Sequence, residues 1–369
     1  MMAASRLKIL MTADAVGGVW QYATDRSAEL TQAGHRLVLA LLGPPPSRAQ
    51  REQACAIPGT RLVETGLPLD WLSSGPEPVM RAAERIARLA AEEGADLIHC
   101  NSPALAGAVR FPAPVVAVSH GCLATWWQAA RTEPLAPDYR WHREMTRQGL
   151  LAADTVVAPS ASHAGTVQRV YELPACPLVV HNGRPLQEAP SAQGMTLRSA
   201  LTVGRLWDDV KGARVLDDVA GRLAVPFLAA GALRGPHGEE FVPWHLRALG
   251  QLEGNELPAL LGLRPVFVSA ATFEPFGLAA LEAAAAGCAL VLSDIPTFRE
   301  LWDGAAIFID PTDASGFAGA IAGVVDDQAR RCELGQAAAR RASRFTPAAT
   351  ARGMAAIYRS LLGPKEAAA

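Results

Sequence analysis

Pro265-Val-Phe-Val-Ser-Ala-Ala-Thr-Phe-Glu-Pro-Phe-Gly-Leu-Ala-Ala-Leu-Glu282 is the most informative stretch of the chain. Its first five residues form a short apolar run, as expected of a strand buried on both faces. Glu274 and Pro275 then make a turn, and Gly277 opens an Ala-rich helix that runs to Ala286. A buried strand feeding a helix is the repeating unit of parallel α/β architecture. The first free amides of that helix, at Gly277 and Leu278, carry partial positive charge and suit a phosphate, and glycine lets the backbone approach a ligand. Glu282 is the only charge in the helix. A buried carboxylate is costly unless hydrogen-bonded, so Glu282 calls for a polar partner such as a pair of sugar hydroxyls. The plainer alternative is that Glu274 caps the helix and Glu282 lies on its exposed edge.

The same alternation extends in both directions. Upstream, strands are expected at Leu7–Thr12, Arg36–Leu42, Arg61–Glu64, Asp96–Cys100, Pro114–Ser119, Thr155–Ala158 and Leu178–His181, with helices at Trp20–Ala33, Glu77–Glu93, Asp138–Ala152 and Ser160–Tyr171. Gly183–Thr196, rich in Gly, Pro, Gln and Ser, reads as a linker. Beyond it strands are expected at Leu197–Val203, Val225–Ala230, Arg247–Leu252, Ala289–Ser293 and Ala306–Asp310, and helices at Gly212–Leu223, Leu257–Leu261, Thr297–Trp302, twice within Asp313–Ser343, and after Pro347. Two α/β halves of similar size make two Rossmann-like domains facing a cleft, consistent with 369 residues.

Composition narrows the function. Half the residues are apolar and the net charge is −2, with 34 basic against 36 acidic residues. No basic stripe marks a nucleic-acid partner and no polybasic tail marks anionic lipid. Met1–Leu10 is too short an apolar run for a secretory signal, and the Ala-rich segment Gly277–Leu292 is broken by Glu282 and does not read as a membrane span. Six scattered cysteines without a CxxC pair read as reduced, buried thiols of a cytoplasmic protein.

Ligands of open parallel sheets bind beyond the carboxyl ends of the strands, which directs attention to the loops after Thr12, Ser119, Val203 and Ser269. In Val203-Gly-Arg-Leu-Trp-Asp-Asp-Val-Lys-Gly212, Arg205 and Lys211 flank the loop, and Lys211 is one of only three lysines. A planar fork and a compact charge together suit one anionic group, although two solvated loop cations would read the same way. Gly17 and Gly18 follow a strand and precede a helix, an incomplete phosphate-binding fingerprint. His120 stands just past a buried strand, where it is a site residue or a structural one. Trp126, Trp127 and Trp141 follow it and read as core ahead of acceptor groove.

Taken in this order and spacing, the four segments resemble the family-4 retaining glycosyltransferases of GT-B fold. The resemblance covers nearly the whole chain, with Glu274 and Glu282 matching the family's E-x7-E motif and Ala153–Ser160 and Val179–Gly183 its approach to the hinge. It implies residues 1–183 as an acceptor-side domain, 184–345 as a nucleotide-sugar-binding domain, and 346–369 as a helix crossing back to the first. It implies that Arg205 and Lys211 hold the donor diphosphate, Glu274 the transferred sugar, Glu282 the ribose, and the backbone of Phe276, Gly277 and Leu278 sugar and phosphate. Gly17 and Gly18 would then lie against the diphosphate or sugar, His120 would line the reacting centre, and Asn182-Gly183 would be the hinge.

No two aspartates are separated by one residue, so the metal-holding Asp-x-Asp motif of many transferases is missing and no metal or cofactor is expected. The implied function is hexosyl transfer from a UDP- or GDP-sugar to a saccharide or lipid-linked acceptor in polysaccharide biosynthesis, with peripheral contact at the inner membrane face left open. A nucleotide-sugar 2-epimerase of similar fold is the alternative. A nicotinamide dehydrogenase is disfavoured, because the first turn lacks its third glycine and Leu41-Leu42-Gly43 stands where an acidic residue should end the second strand. A non-catalytic sugar-binding relic is disfavoured because both glutamates and both cations are present.

Overall fold

The run Lys8-Ile-Leu-Met-Thr-Ala-Asp14 forms the first strand and is almost wholly buried, as an apolar stretch without alternation must be if helices cover both faces of a sheet. The computed structural model describes residues 6–185 and 197–363. Most of the expected linker, from residue 186 on, lies outside the described residues, as do residues 1–5 and Lys365.

The first half runs β1 (Lys8–Asp14), α1 (Gly18–Gln32), β2 (Arg36–Leu42), α2 (Arg48–Cys55), β3 (Thr60–Leu67), α3 (Pro76–Glu92), β4 (Leu97–Cys100), β5 (Val115–Val118), α4 (Leu123–Ala130), α5 (Arg140–Ala152), β6 (Thr155–Ala158), α6 (Ala161–Tyr171) and β7 (Leu178–Val179). The second half runs β8 (Ala200–Val203), α7 (Ala213–Ala220), β9 (Phe227–Ala230), β10 (Arg247–Gly250), α8 (Glu256–Gly262), β11 (Val266–Ser269), α9 (Leu278–Ala285), β12 (Leu290–Ser293), α10 (Pro296–Trp302), β13 (Ile307–Ile309), α11 (Ala314–Asp326), α12 (Gln328–Ala342) and α13 (Pro347–Leu362).

Two parallel sheets result, with strand orders β3-β2-β1-β4-β5-β6-β7 and β10-β9-β8-β11-β12-β13. In each, the order reverses at one place, between β1 and β4 and between β8 and β11, and a crevice opens there at the carboxyl ends. One unit comprises residues up to Gln128, Glu133–Asn182, and the chain from Pro347 onward; the other comprises Ala129–Thr132 and Gly183–Thr346.

Alternate strand residues serve opposite faces of each sheet. In the first unit Ile9, Met11 and Ala13 pack with α1 and with Met354, Ile357 and Tyr358 of α13. Leu10, Val38 and Ala40 pack with Val79, Ala82, Ala83 and Ile86 of α3. In the second, Phe267, Leu290 and Leu292 face α9, α10 and α12, whereas Val266, Val268 and Val291 face α7 and α11.

Sequence reading omitted α2 and α4. The eight residues of α2 carry one buried side chain, Ala54, so no apolar stripe announces it; a capping box between Ser47 and Gln50 does. The thiols also depart from expectation. Cys100 and Cys288 are buried, but Cys55, Cys176 and Cys332 are exposed, because Cys55 and Cys332 belong to helices whose apolar faces lie elsewhere and Cys176 sits in the exposed loop between α6 and β7.

Candidate functional site

The switch point of the second sheet gathers the chemistry. β8 and β11 are hydrogen-bonded neighbours, with Leu201 opposite Phe267, so the loops leaving their carboxyl ends emerge side by side. The amide of Thr272 donates to the Val210 carbonyl at 2.9 Å and ties the two loops together. Lys211 closes a single 3₁₀ turn, Asp209–Lys211, and its ammonium donates to Oε1 of Glu274. Each side chain of this pair keeps only 18 % of its surface exposed. An ion pair so shielded is screened less than one at the open surface.

Arg205 leaves the same β8 end but is engaged otherwise. Its Nη2 donates to Oδ2 of the buried Asp208 at 2.8 Å, and its guanidinium carbon lies 5.5 Å from the centre of the Trp207 ring. The structure therefore brings Lys211 and Glu274 into contact and places Arg205 on the shared loop, held by Asp208 and Trp207.

α9 begins at Leu278 with no side-chain cap, and its N-cap Gly277 has φ 87°. A Cβ there would come 2.8 Å from the Phe298 ring. The left-handed turn and Phe298 thus give glycine a structural reason at this position. The Phe276 side chain is buried edge-on against Phe345, ring centres 5.7 Å apart, so what it can offer a ligand is backbone. Glu282 has the polar partner that its burial calls for. Its partner is within the chain: Arg184 Nε donates to Oε1 at 2.7 Å.

The switch point of the first sheet holds a network of neutral polar groups. Asn101, just past β4, donates from its backbone amide to the Thr12 hydroxyl oxygen (2.9 Å) and from Nδ2 to the Thr12 carbonyl (2.7 Å). Its Oδ1 is therefore an acceptor, so His120 Nε2, 2.7 Å away, must carry the ring proton, and Nδ1 is the lone-pair nitrogen. Burial, with lesser contributions from the neighbouring His99 and His163, pushes the His120 pKa down to about 3. Tyr22 packs edge-on against this ring at 4.4 Å between centres. His99, also pushed down to about 3 by burial, lies 3.2 Å from the same Oδ1 and 2.5 Å from the Tyr358 hydroxyl. Gly17 and Gly18 are exposed at the start of α1, and Asp14 accepts the Val16 amide at 2.9 Å to turn the chain into them. Trp141 packs on the core around α3, whereas Trp126 and Trp127 stay half-buried, with Trp127 against Tyr139.

Beside Asn101, the buried Asp70 accepts from Ser102 Oγ at 2.8 Å and meets His142 Nε2 at 3.1 Å. Burial raises its pKa, but hydrogen bonds from His142, Ser102 and the Trp71 amide outweigh that and bring it below the usual aspartate value. A depressed folded-state pKa adds stability that is present above the unfolded value, near 3.9, and is lost as pH falls through the folded value. Asp70→Asn should therefore cost about 2 kcal/mol at pH 7. It should also flatten the acid limb between pH 5 and 3, as read from urea midpoints against pH. A variant whose curve parallels the wild type removes Asp70 from acid stability.

Sequence reading missed Asn101 and Arg184. Asn101 follows a buried strand, and the strand-end rule that picked out His120 would have found it. Arg184 was absorbed into a supposed linker. Among the described residues, no group of three or more His, Cys, Asp or Glu could hold a metal ion, and no helix is long and apolar enough to cross a membrane.

The family description Glycosyltransferase Family 4 matches residues 16–188, and Glycosyl transferases group 1 matches residues 239–341. Over 97 residues the chain is 40 % identical to glycogen synthase of Mycobacterium tuberculosis, covering 26 % of this chain and 23 % of that protein. Over 177 residues it is 29 % identical to phosphatidyl-myo-inositol mannosyltransferase of Mycolicibacterium smegmatis, covering 45 % and 46 %. These alignments span less than half the length of either relative. Sucrose-phosphate synthase of Thermosynechococcus elongatus superposes with a TM-score of 0.78 at 20 % identity over 96 % of this chain and 99 % of that one. The Anabaena HepE protein in complex with UDP-glucose superposes at 0.73 with 18 % identity, over 96 % and 100 %.

Proposed function

We propose that this chain, which belongs to the family-4 glycosyltransferases of GT-B fold, moves a hexose from a nucleotide-sugar donor to a saccharide or lipid-linked acceptor, retaining the anomeric configuration without a metal ion. The observation that carries the reading is the shielded Lys211–Glu274 pair at the switch point of the second sheet, beside the uncapped start of α9. A cation next to helix amides suits a diphosphate, and a carboxylate next to it suits the hydroxyls of the attached sugar. The fold shared with a UDP-glucose-bound protein supports a UDP-sugar as the first donor to try, and the mannosyltransferase relative supports a lipid-linked acceptor.

In this mechanism the bond from the anomeric carbon to the phosphate oxygen breaks while a bond to the acceptor oxygen forms on the same face. The acceptor hydroxyl proton passes to the departing phosphate. The charge that grows on the nucleoside diphosphate is met by Lys211, Arg205 and the first amides of α9, which are fixed before reaction. His120 is neutral and contributes a hydrogen bond rather than a charge. Its partner is the Asn101 amide rather than a carboxylate, which argues against the proton abstraction an epimerase needs.

The test is a thermal-shift screen of nucleoside diphosphates, followed by incubation of the matching nucleotide sugar with candidate acceptors and NMR of the product. Ligand at 100 times its dissociation constant stabilises by about 2.7 kcal/mol, a readable shift. An α-linked product from an α-configured donor, formed equally well in EDTA, is expected. A changed sugar nucleotide without acceptor, or a product of inverted configuration, would refute the proposal.

A further inference from the structure

We infer that Arg184 is a positioning residue for the donor's ribose, acting through Glu282; this rests on the donor site proposed above. Arg184 lies where the chain enters the second unit, and its own amide donates to the Phe345 carbonyl at 3.2 Å, where the chain is about to leave it. Phe345 is seated against Phe276 and, at 5.9 Å between ring centres, against the fully buried Trp302. The backbone of Arg184 is thus pinned to the core of the unit, and its guanidinium reaches Glu282 Oε1 at 2.7 Å with both side chains largely shielded.

Glu282 needs such a partner twice over. It is the lone charge of an apolar helix, and a carboxylate without a counter-charge would repel the diphosphate it has to sit near. A guanidinium fixed at Nε neutralises the carboxylate and confines its rotamer, which turns a flexible acid into a preorganised acceptor for a vicinal diol. Arg184 therefore reports to the ribose rather than to the phosphates. Its removal should erase discrimination between ribose and deoxyribose, whereas removal of Lys211 should weaken both nucleotides alike.

Calorimetry of UDP and 2′-deoxy-UDP, or the guanine pair if the screen selects it, tests this on the wild type and on Glu282→Gln, Arg184→Leu and Arg184→Lys. The wild type is expected to favour the ribonucleotide by at least about tenfold, the worth of one hydrogen bond to a charged group. Glu282→Gln and Arg184→Leu should both reduce the ratio to below about threefold, and Arg184→Lys should recover part of it. A structural role would weaken both ligands equally and leave the ratio intact, and that result overturns the inference. If Glu282→Gln loses discrimination while Arg184→Leu keeps it, the donor site stands and the role of Arg184 falls. If the wild type binds nucleotide without preference, the ribose assignment fails alone; if it binds none, the proposed function fails and the inference with it. Should Arg184→Leu not fold, the ratio of Arg184→Lys against the wild type decides.

Discussion

Lys211→Met should lower kcat by about 10²–10³ while the donor KM rises far less. That is the loss expected when one preorganised charge is removed from a developing anion. The side chain is four-fifths shielded, so bulk water cannot replace it, and its partner Glu274 holds it at the carboxyl end of the sheet before any ligand arrives. Arg205 is 43 % exposed and already paired with Asp208, so Arg205→Met should cost less. The variant leaves Glu274 without its partner, and a lone shielded carboxylate destabilises on its own account. The double variant Lys211→Met, Glu274→Gln separates the two effects: it should recover melting temperature and leave turnover low. Turnover near wild type in the single variant would remove the ammonium from the chemistry and with it the main support of the donor site.

The fold was legible because both sheets are parallel and buried on two faces. Runs such as Arg36–Leu42 and Thr155–Ala158 therefore announce themselves as continuous apolar stretches, and both strands occupy those bounds. Strand ends were less legible. Leu178–His181 shortened to Leu178–Val179, since pairing with β6 ends at Ala158 opposite Val179. The loops bearing Arg205, Lys211 and Glu274 were found by the strand-end rule. That Lys211 and Glu274 touch, 63 positions apart, follows from β8 lying beside β11, an adjacency no local pattern encodes. Arg184 was hidden for the opposite reason. A Gly-Arg-Pro stretch reads as a linker, and only the charge of Glu282, visible as an oddity in its helix, pointed to a missing partner.

Gly231→Ala should be the most damaging small substitution in the donor unit. Gly231 follows β9 with φ 134°, a conformation side chains avoid, and a Cβ placed there would lie 1.8 Å from the Gly204 carbonyl oxygen. No rotamer relieves this, because the obstacle is backbone. That backbone is fixed in turn: Gly204 donates to the Ala230 carbonyl at 3.0 Å and Gly231 to the Gly250 carbonyl at 2.7 Å, so the ends of β8, β9 and β10 are locked together. Adding the strained conformation to the overpacking gives a loss on the order of 3–5 kcal/mol, or roughly 10 °C in melting temperature for a unit of this size. The shift has a functional direction too, because Gly204 is the residue from which Arg205 hangs. To make room, the β8 loop must move, and donor affinity should fall along with stability. Gly17→Ala supplies the contrast. Gly17 has a negative φ of −159° and open space where its Cβ would go, so stability should stay within about 0.5 kcal/mol of wild type. Equal melting temperatures for the two variants would mean that the β8 and β9 ends are not packed as described, and the placement of Arg205 on that loop would fall with them.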